Sequence, residues 1–107
     1  MEFAADILPA RPRIVFSLDR DSVCMGDDCV SHARSVEMPS FTDAKMLAEN
    51  LGAGYLPSVR GYGHWWECIL NGSAIAKVFP NGSAEKLGEV AYDATNSVYF
   101  RYHSATY

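Results

Sequence analysis

The chain has 107 residues, enough to bury one core and too few for two, so a single domain is expected. Hydrophobic residues at 49% against charged residues at 21% exclude a disordered chain, and no run of about 18 apolar residues is present to cross a bilayer as a helix. A net charge of −4 disfavours direct binding to nucleic acid or to an anionic membrane, because both depend on clustered Lys and Arg; a basic protein partner suits it better.

Residues 1–12 show no clear period, and Pro9 and Pro12 break any helix begun between Phe3 and Leu8. They read as a loosely docked arm ahead of an α+β domain over 13–107. The opening Met1 to Asp6 lacks the basic head of a secretory signal, which makes a cytoplasmic location the expectation. From Arg13 the pattern changes: Ile14, Phe16 and Leu18 alternate with their neighbours along a β-branched and aromatic run, as a central strand would. A loop rich in carboxylates follows, with Gly26 supplying backbone freedom and Asp27-Asp28 suited to bonding their own backbone. Arg34 to Met38 then alternates polar with apolar and stops at Pro39, giving a second, half-exposed strand.

Ser40 stands before Phe41 and three residues ahead of Asp43, which makes it the expected N-cap of a helix. Phe41, Ala44, Leu47, Ala48 and Leu51 fall on one stripe at helical spacing, and Gly52 fits the left-handed stop position. A Gly- and Tyr-rich connector over 53–63 leads to two apolar runs, Trp65 to Leu70 and Ser73 to Phe79, joined by Asn71-Gly72. Asn-Gly between such runs predicts a hairpin with a type I′ turn. Counting back from a two-residue turn sets Cys68 opposite Ile75, Trp66 opposite Lys77 and Glu67 opposite Ala76. The expected core face is then Trp66, Cys68, Leu70, Ile75 and Phe79, with Trp65, Ile69 and Val78 on the other side around Glu67. Ser83 is placed to cap a short helix running to Ala91, weakened by Gly88, and Val98 to His103 alternates as a last strand. The order β-β-α-β-β-(short α)-β predicts an α+β domain with a mixed sheet and one main helix. It resembles the β-grasp arrangement, and a fold alone assigns no function.

The stretch from Asp19 to His32 is the richest in chemically capable side chains. Cys24, Cys29 and His32 with Cys68 are four potential zinc ligands, but their spacing is unlike paired Cys-x-x-Cys knuckles, and the hairpin turns Cys68 toward the core. Either loop cysteine with His32 or His64 as base would make a nucleophilic pair. Against both stands the plainer reading of three reduced thiols behaving as small apolar groups, an odd number being ordinary in a reducing compartment. Asp19, Asp21, Asp27 and Asp28 lack the twelve-residue calcium-loop pattern and its closing Glu, so they are hydrated turn carboxylates or an acidic patch for a basic macromolecule. The two Asn-Gly-Ser triplets read as turns. The aromatics, among them Tyr55, Tyr62, Trp65, Trp66, Tyr99 and Tyr102, divide between core packing and a possible interface centre.

The run Ser17-Leu18-Asp19-Arg20-Asp21-Ser22-Val23-Cys24-Met25-Gly26-Asp27-Asp28 with the following His32, and the later Tyr55-Leu56-Pro57-Ser58-Val59, resemble segments of small bacterial immunity proteins that accompany polymorphic toxins, including contact-dependent growth inhibition systems. The resemblance implies a cytoplasmic binder, not an enzyme, that needs no cofactor and docks onto a toxin domain, often a nuclease. The residues expected to meet a basic partner are Asp19, Asp21, Asp27 and Asp28 for charge, with Tyr62, His64 and Trp65 as contacts from the connector and the strand it enters. The other readings are a zinc-binding or cysteine-dependent enzyme domain built on Cys24, Cys29, His32 and Cys68, and a β-grasp-like adaptor that offers a sheet edge.

Overall fold

Alternation along the first strand sets the centre of the sheet. In the computed structural model, which describes residues 12–22, 31–57 and 63–104, Phe16 and Leu18 on β1 (Arg13–Arg20) are buried while Val15, Ser17 and Asp19 between them are exposed. β2 (Arg34–Pro39) runs antiparallel to β1, with Ile14 opposite Met38 and Leu18 opposite Arg34. The other strands are β3 (Trp65–Leu70), β4 (Ser73–Val78), β5 (Ala84–Lys86) and β6 (Asn96–His103). They form a six-stranded mixed sheet in the order β2-β1-β6-β3-β4-β5. β1 and β6 are parallel and all other neighbours antiparallel, so the last strand is inserted at the middle beside the first. This is an α+β fold with the element order β-β-α-β-β-β-β, the short second helix of the expected order being replaced by a strand.

The helix α1 (Ala44–Gly52) lies across β4 and β5 and buries Ala44, Leu47, Ala48 and Leu51, the stripe that helical spacing predicts. Its cap is Asp43 and not Ser40: the Asp43 carboxylate accepts from the Lys45 N–H at 3.0 Å. Ser40 is engaged elsewhere, its N–H donating to the Pro12 carbonyl at 3.0 Å and so extending the β1–β2 ladder by one step. Phe41 therefore precedes the helix, packing against the core while its carbonyl accepts from Tyr92 Oη at 2.6 Å. Gly52 is the last helical residue, not the left-handed stop. A Cβ there would sit 3.0 Å from Leu56 Cδ1, and Gly54 takes the positive φ, +73°.

Asn71 and Gly72 form the expected turn, with φ of 49° and 87°. The register beyond it differs. Leu70 faces Ser73 and Ile69 faces Ala74, but a bulge then leaves Ile75 without an opposite residue, and Cys68 faces Ala76, Glu67 faces Lys77 and Trp66 faces Val78. The regular register would have sent Lys77 into the core beside Trp66. With the bulge, both Ile75 and Val78 are buried and Lys77 sits beside Glu67 on the opposite face, so Val78 takes the core place expected of Phe79.

The short helix expected from Ser83 is instead strand β5 followed by irregular chain. A tight turn returns the chain to β4: Phe79 N–H donates to Ser83 O, Gly82 N–H to Phe79 O, and the Asn81 side chain accepts from both Ser83 N–H and Oγ. The Leu87 and Gly88 N–H groups then donate to the Ile75 carbonyl, at 2.8 and 3.1 Å. Helical bonds cannot compete for those donors once the edge of β4 offers acceptors. A Cβ at Gly88 would approach the Ala74 carbonyl oxygen to 2.8 Å, which accounts for a glycine there.

The core lies between α1 and one face of the sheet: Phe16, Leu18, Trp66, Cys68, Leu70, Ile75, Val78, Val98 and Phe100 meet Leu47 and Leu51. Each large side chain buried in this way contributes about 1.5–3 kcal/mol. Among the described residues no helix is long and apolar enough to cross a membrane.

Candidate functional site

The other face of the sheet is built from the residues that alternate with the core. Across its middle strands lie Asp19, Tyr99, Arg101, His103, Trp65, Glu67, Ile69 and Lys77. α1, the one helix among the described residues, packs on the opposite face, so no described element covers these side chains.

Register arranges them into two groups. At one end Trp65 and His103 are direct neighbours across β3 and β6, and their rings stack at 4.0 Å between centroids and 4° between planes. Lys77 reaches from β4, its Nζ 4.4 Å from the centre of the Trp65 ring. Glu67 Oε1 lies 2.8 Å from His103 Nε2 and 3.9 Å from Arg101 Nη1. The indole is thus held from two neighbouring strands, by the His103 ring on β6 and the Lys77 ammonium on β4.

On the other side of β6, Asp21 follows the last residue of β1 and closes the β1–β6 ladder. Its N–H donates to the Phe100 carbonyl at 3.1 Å, and its carboxylate accepts from the Tyr102 N–H at 2.9 Å and from the Tyr99 hydroxyl. That hydroxyl bond to Asp21, with burial and the Asp21 and Asp19 charges adding to it, pushes the Tyr99 phenol up to about 12. Asp19 pairs with Tyr99 in the parallel register and remains exposed. Toward the start of β6 a shallow depression of about 430 Å³ is lined by Asp19, Ile69, Tyr99 and Arg101 with Gly72 and Ser97.

Of the residues expected to meet a partner, Asp19 and Trp65 lie on this open face, and Asp21 sits at its end with its carboxylate already engaged by two internal donors. Asp27, Asp28 and Tyr62 fall outside the described residues. His64 is not a surface residue: it is 4% exposed, and its ring packs 6.0 Å from that of Tyr102. The chain turns at Gly63, φ +78°, and alternation from there sends His64 and Trp66 inward and Trp65 outward.

Cys68 is wholly buried between Phe100 and Ala76 on the neighbouring strands, and desolvation pushes its thiol up to about 12, so it is a neutral core side chain. Cys24 and Cys29 lie outside the described residues. His32 Nε2 is 3.0 Å from Ser22 Oγ, and its carbonyl accepts from Tyr55 Oη at 2.6 Å. No three His, Cys, Asp or Glu side chains among the described residues gather as a metal would require.

The residues that sequence reasoning passed over are Glu67, Lys77, Tyr99, Arg101 and His103 acting together. Alternation on the last strand was their only signal, and the bulge that brings Lys77 to Glu67 leaves no trace in a hydrophobic pattern. Comparison with protein-family models, curated proteins and solved structures finds no match for the chain.

Proposed function

We propose that this chain is an immunity protein that binds a basic toxin domain, of the nuclease kind the resemblance implies, and neutralises it by docking the open face of the sheet against it. The observation that carries the reading is Trp65: a large aromatic on a rigid strand, on a face no described element covers, oriented in advance by His103 and Lys77. Aromatic anchors on ordered elements supply most of the energy of protein interfaces, and ordering them before binding lowers its entropic cost. On the same face Tyr99 and Ile69 offer apolar contact and Asp19 an exposed carboxylate, while Arg101 is paired by Glu67 and Lys77 lies over the Trp65 ring, within a chain of net charge −4.

The test is expression of the domain encoded directly beside this gene in a sensitive strain, with and without this chain. Growth arrest that the chain relieves, and that Trp65→Ala restores in part, is the expected result. A neighbouring product without toxicity, or a toxicity that the intact chain leaves unrelieved, overturns the proposal.

A further inference from the structure

A cavity of about 220 Å³ lies on the other side of the sheet, where the C-terminal end of α1 meets the β4–β5 turn. His64 and Trp66 are among its buried lining, Leu56 and Phe79 form half-buried walls, and Gly54 and Asn81 stand at an exposed rim. It is larger than the roughly 150 Å³ that accommodates a benzene in a protein interior.

Three features define what it would hold. His64 is 96% buried by its 4% exposure, and among the described residues neither ring nitrogen has a hydrogen-bond partner. A buried imidazole with both nitrogens unused is rare, because each group left unpaired destabilises the fold; one that lines a cavity calls for a ligand bearing polar hydrogen. Glu49 also lines the cavity. The hydrogen bond from Lys45, and then that from the Ala84 N–H, hold its carboxyl below the usual carboxylate range, so it is ionised at neutral pH. Lys45 reaches this carboxylate at Oε2, 2.7 Å away, and is not itself part of the lining. Finally, Gly52 and Ala53 bring the C-terminal end of the helix to the cavity; the Gly52 carbonyl already accepts the Tyr55 and Leu56 N–H groups, both at 3.0 Å, so this end adds only the residual negative potential of the helix dipole. No Lys or Arg lines it. An anion would meet a carboxylate that Lys45 pairs only from outside the lining and would find no cation within it, whereas an ammonium group finds acceptors in Glu49 and His64 and its apolar body finds Trp66, Leu56 and Phe79.

We propose that this cavity binds a small organic cation, an amine carried on an aromatic or apolar body, with the amine held by His64 and Glu49 and the body against Trp66. The site is separate from the open face, which lies across the sheet, and does not depend on the function proposed for it.

The probe is benzylammonium, titrated into the full chain and followed by amide chemical shifts, with benzyl alcohol and benzoate as neutral and anionic counterparts. A ligand of this size is expected to bind with a Kd on the order of 1 mM. Saturable shifts confined to residues 52–57, 64–66 and 78–82 are expected, with benzyl alcohol weaker by about tenfold and benzoate not binding. His64→Phe, which keeps a ring and removes both nitrogens, and Glu49→Gln, which keeps an acceptor for the Ala84 N–H, should each weaken benzylammonium by about tenfold. If His64→Phe does not fold, Glu49→Gln and the three probes still decide. Absence of saturable shifts, equal affinity for benzyl alcohol, or an unchanged affinity in Glu49→Gln overturns the proposal. Trp65→Ala on the far face should leave benzylammonium binding unchanged, so the loss of either site is separable from the other.

Discussion

The two faces of one sheet put the same strands to opposite uses. Toward α1, Phe16, Trp66, Cys68, Val98 and Phe100 are buried by apolar neighbours, and their identities are set by volume and shape. Away from α1, Tyr99, Arg101, His103, Trp65, Glu67 and Lys77 alternate with those residues one for one, and each is held by a specific polar or ring partner. The first face is organised by exclusion of water, the second by directed contacts that persist in its presence. Order alone therefore does not distinguish them; what separates them is whether removing a side chain leaves a cavity.

That contrast is open to direct measurement. Phe100→Ala, at the centre of the covered face, is expected to cost about 3–5 kcal/mol in denaturant unfolding, because the space it leaves is enclosed on all sides. Trp65→Ala removes a larger side chain yet should cost about 1 kcal/mol, the worth of a ring stack and a cation–π contact, since water replaces the indole without a void. A Trp65 loss as large as that of Phe100 would mean the open face is itself core. The smallest effect concerns Tyr99. Its folded phenol stands at about 12 against an ordinary 10, so its contribution to stability is fully present below about pH 10 and fades as the pH rises through about 12. Absorbance titration should show Tyr99 ionising late, as burial also makes Tyr55 do, and Asp21→Asn should bring Tyr99 alone back toward the ordinary tyrosines. If the late titration survives Asp21→Asn, the hydrogen bond is not its cause.

Much of the architecture could be read from the chain. Ile14, Phe16 and Leu18 marked the first strand, the stripe from Ala44 to Leu51 marked the helix, and Asn71-Gly72 marked the hairpin, because each depends on a period or a backbone preference expressed within a few residues. Three details failed for a shared reason: each was decided by a competitor distant in sequence. Ser40 was a sound cap until pairing with the Pro12 carbonyl carried the β1–β2 ladder through it and the helix began only after Asp43, and 84–91 resembled a helix until the Ile75 carbonyl offered an acceptor to Leu87 and Gly88. The hairpin count was regular until burial of Lys77 became the alternative to a bulge.

The site was less legible than the fold. Trp65 and Asp19, expected as contact residues, lie on the open face, whereas His64, expected beside them, is buried. Its burial depends on the turn at Gly63 and on the packing of Tyr102, neither of which a residue list contains.

By itself the chain determined which residues alternate, where the helix stripe lies and where the backbone must turn, since these follow from side-chain chemistry acting over one or two turns of chain. Only the tertiary structure decided that β6 enters between β1 and β3, and that insertion assembles both faces: it sets His103 on Trp65, Tyr99 on Asp21 and Phe100 in the core. Strand order is settled by competition among distant backbone groups for the same partners, and no local pattern records who wins.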